Sequence, residues 1–203
     1  MVCIVDYGVG NLFSLKCSFE AIGQKVVISS DKDIIENAER LVLPGVGAFG
    51  DAIKKLKDTG LDEVVKAYAK SGRPLIGICL GMQLLFDKSY EYGEHAGLGL
   101  IPGEIVGFRS RIDESLKIPQ MGWNALKFNK PDSPILKYLS DGDYVYFVHS
   151  YFALTESEYV SAYTEYGIDV TASAERDNIF GCQFHPEKSG EVGLKILKAF
   201  CEL

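Results

Sequence analysis

The chain has 203 residues, of which 47% are hydrophobic and 24% charged, a composition typical of a folded protein and not of a disordered one. The net charge of −7 argues against a nucleic-acid-binding surface, because phosphate binding requires clustered lysine and arginine side chains. The longest uncharged apolar stretch, residues 75–86, is shorter than the roughly 20 residues that cross a bilayer, so no membrane association is expected.

In the first half of the chain, short apolar runs alternate with amphipathic stretches, a pattern that predicts strands and helices in turn. Asn11 is expected to cap a first helix, because Leu12, Leu15 and Phe19 then fall on one face. Further helices are predicted over residues 49–56, 62–70 and 80–86. Buried strands are predicted over residues 2–5, 26–29, 41–43 and 75–78.

The second half of the chain has a β-rich pattern that ends in one helix after Ser189. Predicted strands cover residues 104–109, 123–128, 143–152, 159–164, 170–174 and 179–184. Neither half contains a linker-like segment, so we expect residues 1–203 to form a single domain. The predicted fold class is α/β, with a mixed, mostly parallel sheet flanked by helices and a β-rich second half.

The cysteines and histidines favour a protein with free thiols and no metal. Five cysteines are far apart and include no C-x-x-C pair, which favours reduced thiols over a disulfide framework. The three histidines do not combine with them into a zinc-type cluster, and no cofactor is expected. No basic segment precedes the apolar N-terminal run, so we expect no signal peptide and a cytoplasmic location.

The segment Gly77-Ile78-Cys79-Leu80-Gly81 is the cysteine version of G-x-S-x-G, in which a nucleophile occupies a tight strand-to-helix turn. At such a turn the backbone is strained, the two glycines allow close packing, and the helix N-terminus favours the reactive thiolate. The predicted strand before Cys79 and helix after it fit this nucleophile elbow. The alternative interpretation is a buried core cysteine between two packing glycines.

A cysteine nucleophile needs a histidine base and often a third group that orients it. His185 and Glu187 are two residues apart at the end of a predicted strand, so their side chains are expected to point the same way. Glu187 can then bond one ring nitrogen of His185 and leave the other for Cys79. The rival base is His149, which has no carboxylate two residues away and is interpreted as a pocket or core histidine.

Residues 45–50 match G-x-G-x-x-G, the dinucleotide-binding fingerprint, after a strand and before a helix. The fingerprint also requires an acidic residue that binds the ribose, at the end of a strand about 20 residues later. Asp62 and Glu63 lie near that position, but they begin a predicted helix. A different use is that this loop aims the Val46 N–H at an oxyanion beside Cys79. The Leu80 N–H would be the second donor that acyl transfer requires.

Residues 77–83, 44–47 and 185–187 together resemble class I glutamine amidotransferases. Residues 6–12, 119–124 and 146–151 are further similar to the glutaminase subunits of imidazole glycerol phosphate synthases, which act in histidine biosynthesis. The resemblance runs from residue 1 to the last helix and implies the amidotransferase fold. The chain departs from the family pattern at Gln120, where histidine is more common, and at Tyr90, where an acidic residue is usual.

The resemblance implies that Cys79 is the nucleophile, His185 the general acid and base, and Glu187 its orienting group. It implies a glutamine site formed by Gly47, Gln83, Glu91, Ser150 and Tyr151. It also implies a heterodimer with a TIM-barrel cyclase subunit, which uses the ammonia. The residues expected towards that partner are Asn11, Met121, Gly122, Trp123, Asn124 and Lys188.

Three rival functions are open at this stage. The same glutaminase chemistry could serve another acceptor, in sugar or nucleotide amination. A hydrolase or peptidase that transfers nothing could use the same fold. A catalytically dead scaffold is the third, against which the presence of Cys79, His185 and Glu187 together argues.

Overall fold

The computed structural model describes residues 1–203, with fourteen β-strands and six α-helices. Strands β1 to β14 are, in order, Val2–Val5, Val26–Ser29, Arg40–Leu43, Leu75–Ile78, Phe86–Ser89, His95–Ala96, Ile101–Gly107, Gln120–Ala125, Lys127–Phe128, Tyr144–His149, Tyr151–Leu154, Val160–Glu165, Asp169–Arg176 and Ile179–Cys182. Helices α1 to α6 are Leu12–Ala21, Lys32–Glu36, Phe49–Thr59, Leu61–Lys70, Leu80–Leu84 and Gly190–Cys201. None of these helices has the length and apolar character needed to cross a membrane.

The main sheet has eight strands in the order β2-β1-β3-β4-β14-β13-β12-β9. The four neighbouring pairs from β2 to β14 are parallel. The three pairs from β14 to β9 are antiparallel. The predicted fold class, a mixed and mostly parallel sheet with flanking helices, is therefore confirmed.

The central parallel strands β1 and β4 are apolar along their whole length because helices cover both faces of the sheet. In β1, Cys3 and Val5 point into a core shared with α2, α3 and α4, whereas Val2 and Ile4 point into a second core shared with α1 and α6. All four side chains are fully buried. The carboxyl ends of β3, β4 and β14 consequently meet at one edge, where sites of open α/β sheets usually form.

One predicted strand, residues 143–152, is wrong as a single element. The structure divides it at Ser150 into β10, which pairs with β8, and β11, which pairs with β7 in a separate sheet. The Ser150 carbonyl accepts a hydrogen bond from the Phe108 N–H at this division. Apolar and aromatic residues continue through both strands, so the change of partner strand has no signal in the local sequence.

Other element boundaries also differ from those predicted. The helix expected to reach residue 86 ends at Leu84, because the carbonyls of Leu84, Leu85 and Phe86 accept from the loop at residues 98–101. The strand expected over residues 123–128 begins at Gln120 and is interrupted after Ala125. Helix α2 and strands β5 and β6 were not predicted. Asn11 occupies the N-cap position of α1, but its side chain makes no capping hydrogen bond.

Candidate active site

Cys79 occupies the turn between β4 and α5 with φ 54° and ψ −112°, a conformation that non-glycine residues rarely adopt. A Cβ atom on Gly77 would lie 2.6 Å from the Gly81 carbonyl oxygen, and one on Gly81 would overlap the Leu43 carbonyl. Both positions therefore require glycine for close packing. The Cys79 N–H donates to the Cys182 carbonyl at 2.7 Å, which joins the turn to β14. The strained elbow predicted from the motif is present.

His185 follows the end of β14 and is 2% exposed. Its Nδ1 lies 2.8 Å from Glu187 Oε1, and both side chains are almost fully buried. The extended chain predicted for this pair is wrong, because Pro186–Lys188 form a short 3-10 helix. The contact forms through this turn, which the Lys188 N–H closes by donating to the His185 carbonyl.

Burial of His185 alone would lower its pKa, but hydrogen bonds to Cys79 and Glu187 outweigh burial and raise that pKa to about 9. His185 is therefore protonated at neutral pH. A histidine cation beside a cysteine sulfur favours the thiolate. The protonated imidazole thus lies between the Cys79 sulfur and the Glu187 side chain.

The rival base, His149, has different surroundings. Its burial lowers its pKa to about 4, so the ring is neutral at pH 7. Its Nδ1 lies 2.8 Å from the Tyr151 carbonyl oxygen, and no carboxylate contacts the ring. His149 lines the same cavity as His185. It is a pocket histidine, as predicted.

Cys79 and His185 line a cavity of about 320 Å³. Eight other residues named from the sequence line it as well: Val46, Gly47, Leu80, Gln83, Glu91, Ser150, Tyr151 and Lys188. His149 lines the cavity too, and so do Pro119 and Val148, which were not predicted to lie at the site. The cavity therefore brings together parts of the chain that are far apart in sequence.

The loop before α3 packs directly on the elbow. A Cβ atom on Gly45 would lie 2.6 Å from the Gly81 nitrogen, so only glycine permits this approach. Gly47 has φ +93°, a conformation that also favours glycine. Neither the Val46 N–H nor the Leu80 N–H donates to a backbone carbonyl. Neither N–H is therefore engaged by a carbonyl of the protein backbone.

The N-terminus of α3 is already occupied within the protein. Glu91 Oε2 accepts from the Phe49 N–H at 2.6 Å, at the point where a dinucleotide pyrophosphate would bind. Burial raises the pKa of Glu91, and the hydrogen bond from Phe49 opposes that shift. The G-x-G-x-x-G match therefore holds a carboxylate of the same chain, which argues further against the dinucleotide interpretation.

Gln183 is a further residue beside the site that was not predicted from the sequence. It is fully buried, and its Nε2 lies 3.9 Å from Cys79 Sγ. Its Oε1 accepts from Gln83 Nε2 at 2.9 Å, and Gln83 also donates to the Tyr151 carbonyl at 2.9 Å. Gln183 therefore connects Cys79 to Gln83. A polar residue two positions before His185 in an otherwise apolar strand end was the available signal.

Four of the six residues expected towards a partner lie on β8, which forms a two-stranded ribbon with β10. These four divide between the two faces of the ribbon. Met121 and Trp123 are 63% and 53% exposed, and Trp123 lies edge-on to the Tyr146 ring. Lys188 Nζ lies 5.8 Å from the centroid of that ring. Gly122 and Asn124 alternate with them, on the inner face of the ribbon. Asn11 is half-buried at the start of α1.

Comparison with known proteins agrees with this geometry. The family model described as glutamine amidotransferase class-I matches residues 3–202. "Imidazole glycerol phosphate synthase subunit HisH" of Wolinella succinogenes is 52% identical, with 100% of each chain covered. The protein of the same name from Caldanaerobacter subterraneus subsp. tengcongensis is 51% identical, with 100% of this chain and 98% of the relative covered.

Solved structures share the fold at low sequence identity. A glutamine amidotransferase superposes with a TM-score of 0.76 at 18% identity, over 100% of this chain and 98% of the other. PurLQS from Thermotoga maritima gives 0.73 at 21% identity, over 99% and 97%. With the family match and the full-length relatives at half identity, the chain belongs to the class-I glutamine amidotransferases, in the branch of imidazole glycerol phosphate synthase subunits HisH.

Proposed function

We propose that this chain is the glutaminase subunit of an imidazole glycerol phosphate synthase, which hydrolyses L-glutamine to glutamate and ammonia and delivers the ammonia to a cyclase subunit. The observation that carries this proposal is Cys79 on a strained elbow beside the His185–Glu187 pair, in a cavity of about 320 Å³. Relatives of about 50% identity along the full length of the chain support the choice of acceptor reaction.

In the proposed mechanism, the Cys79 thiolate attacks the side-chain amide carbon of glutamine. His185 donates its proton to the leaving nitrogen, so that the C–N bond breaks, ammonia departs and a thioester remains. His185 then takes a proton from water, which attacks the thioester and releases glutamate. Glu187 keeps the imidazole oriented and stabilises its cation without taking the proton itself. No metal or cofactor takes part in these steps.

The developing oxyanion would accept hydrogen bonds from the free N–H groups of Val46 and Leu80. Gly47, Gln83, Glu91, Ser150 and Tyr151 would hold glutamine, and all five line the cavity. Because the Glu91 carboxylate also bonds the Phe49 N–H, it is held in place before glutamine binds. Gln83 is likewise fixed by its two hydrogen bonds.

The partner in this proposal is a TIM-barrel cyclase subunit, and the two chains form a heterodimer. Exposed Met121 and Trp123 on the ribbon and Lys188 at the cavity support an interface on that side. Gly122, Asn124 and Asn11 would lie close to it. Residues 1–203 would act as one glutaminase domain in the cytoplasm, where the five free cysteines would stay reduced.

The chain alone is expected to be a poor glutaminase that the partner activates. Glutamate release is measured with and without the cyclase subunit and its ribonucleotide ligand. We expect stimulation of about 100-fold or more, the size of one missing oxyanion donor. Full activity of the isolated chain, unchanged by the cyclase, would contradict the proposal. Stimulation by the partner of another amination pathway instead would assign the chain to that acceptor.

Replacing Glu187 with glutamine keeps a hydrogen bond to His185 but removes the charge that stabilises the imidazolium. The pKa of His185, about 9 in the wild type, should fall. Since activity is lost when the acid form of His185 deprotonates, the fall in kcat at high pH should begin at a lower pH. The loss at neutral pH should be on the order of 100-fold and smaller than that of His185→Ala.

The measurement is kcat against pH for wild type, Glu187→Gln and His185→Ala in the stimulated complex. Wild-type rates for both variants would assign the chemistry to another base, of which His149 is the nearest. A rate loss in Glu187→Gln with an unshifted pH profile would also contradict the role given to its charge.

A further inference from the structure

Four buried side-chain polar atoms in the chain lack a hydrogen-bond partner, and two of them belong to residues that face each other. These atoms are His149 Nε2 and Gln120 Oε1. Their residues are register partners on the antiparallel strands β10 and β8, so both side chains lie on the inner face of the ribbon. Gln120 is fully buried, and His149 also lines the active-site cavity.

The hydrogen bonds around the pair make both free atoms acceptors. The neutral His149 ring must donate from Nδ1, because its partner is the Tyr151 carbonyl oxygen, and Nε2 is then an acceptor. Gln120 Nε2 donates to Asn124 Oδ1 at 3.1 Å, and Asn124 donates to the Glu165 carbonyl at 3.4 Å. That carbonyl orients the Asn124 amide and through it the Gln120 amide, whose oxygen remains the free acceptor. Two acceptors cannot bond each other.

A ligand for this pair must carry at least two hydrogen-bond donors and be very small. Its surroundings are apolar, since the Phe108 and Phe147 rings lie 5.3 and 5.7 Å from the His149 ring, centroid to centroid. Burial among aromatic rings disfavours a charged occupant such as ammonium. The proposed reaction releases a neutral molecule of the required kind into the same cavity, because His185 protonates the departing nitrogen to ammonia.

We propose that His149 Nε2 and Gln120 Oε1 form a binding site for ammonia released at Cys79, one residue from the exposed Met121–Trp123 surface. This inference rests on the proposed function. In it, ammonia donates one N–H to each acceptor and is retained in neutral form inside the protein. The site therefore competes with escape of ammonia to the solvent, and it lies on the side of the cavity where the cyclase subunit is expected.

The test uses the full complex with glutamine labelled with ¹⁵N in the side-chain amide and unlabelled ammonium chloride in the buffer. Mass spectrometry of the aminated product gives the fraction of nitrogen that came from the solvent. Slower hydrolysis alone also raises this fraction, so each variant is compared with a wild-type complex slowed to the same rate of glutamate release by subsaturating glutamine. Gln120→Met keeps the size of the side chain but removes the acceptor. We expect it to raise the solvent fraction about fivefold, the factor that corresponds to one ordinary hydrogen bond.

Two further variants separate the acceptor from packing. His149→Phe removes the other acceptor among aromatic neighbours and should raise the solvent fraction similarly. Gln120→Glu should stay close to the wild type, because burial keeps the carboxyl protonated and its C=O remains an acceptor while its O–H replaces the amide donor to Asn124. These two variants also keep the test decisive if Gln120→Met does not fold.

Equal solvent fractions in wild type and in either acceptor-deleting variant would overturn the inference, and a permanently bound water in place of ammonia predicts this result. A rise in Gln120→Met that Gln120→Glu reproduces would also overturn it, since packing would then be the cause. If the wild-type complex itself incorporates no ¹⁵N, the proposed function fails and the inference fails with it. If the wild type incorporates ¹⁵N from glutamine and the variants do so to the same extent, the inference is contradicted while the proposed function stands.

Discussion

Cys79→Ala is expected to lose glutamine hydrolysis by on the order of 10⁴-fold or more, because no other group in the cavity can form the thioester. Glutamate release by the stimulated complex is the measurement. A glutamine analogue with an electrophilic side chain should label Cys79 and no other cysteine, which peptide mass spectrometry can verify. Appreciable turnover by Cys79→Ala would remove the nucleophile assignment.

The matched controls are the other cysteines. Cys17 is exposed on α1, and Cys17→Ala should keep the wild-type rate. Cys182 is fully buried, and burial raises its pKa well above the usual range of thiols, so it is held as an unreactive neutral group. Cys182→Ala should therefore lower thermal stability through a small cavity while leaving the chemistry of the Cys79 thiolate intact.

Val46→Pro is expected to reduce stimulated turnover by about 100- to 1,000-fold, since proline deletes the N–H proposed as an oxyanion donor. If this donor is engaged only when the partner is bound, basal turnover of the isolated chain should change little. The Gly45–Val46 peptide is well placed for such a change, because Gly47 tolerates positive φ on one side and Gly45 touches the elbow on the other. Steady-state glutamate release in both states is the measurement.

Val46→Ala is the control, because it keeps the N–H and shortens a side chain that is 42% exposed. It should be mild in both states. Proline also restricts Gly45, so the affinities for glutamine and for the cyclase subunit must be compared with wild type first. With both intact, a Val46→Pro enzyme that is stimulated as strongly as wild type would exclude this amide as the switch.

The parts of the site that were predictable depend on local spacing. Gly77, Cys79 and Gly81 describe a strand-to-helix turn within five residues, and the strain appears where the motif places it. His185 and Glu187 meet as predicted, although through a 3-10 turn, because two positions are close whichever backbone path joins them. Buried strands such as β1 were readable because four consecutive apolar residues are shielded on both faces.

The parts that were missed depend on contacts between distant segments. Gln183 is recognisable as a site residue only once Gln83 and Cys79 are beside it, 100 and 104 residues away in the chain. The separation of β10 from β11 depends on which strands they pair with, β8 and β7. Helix α2 has five residues, too few for an amphipathic period, and is stabilised at its start by Asp31.

The pairing of β4 with β14 also has a consequence for biosynthesis of the protein. Ile78 is in register with Cys182, so the nucleophile and its base are joined only when the last strand inserts beside a strand made 104 positions earlier. A ribosome-bound chain that has exposed β4 but not β14 carries the cysteine without its histidine. Under the proposed mechanism, such a chain would hydrolyse no glutamine. The same pairing predicts slow folding, because a long loop must close before the stabilising contacts between the two strands can form.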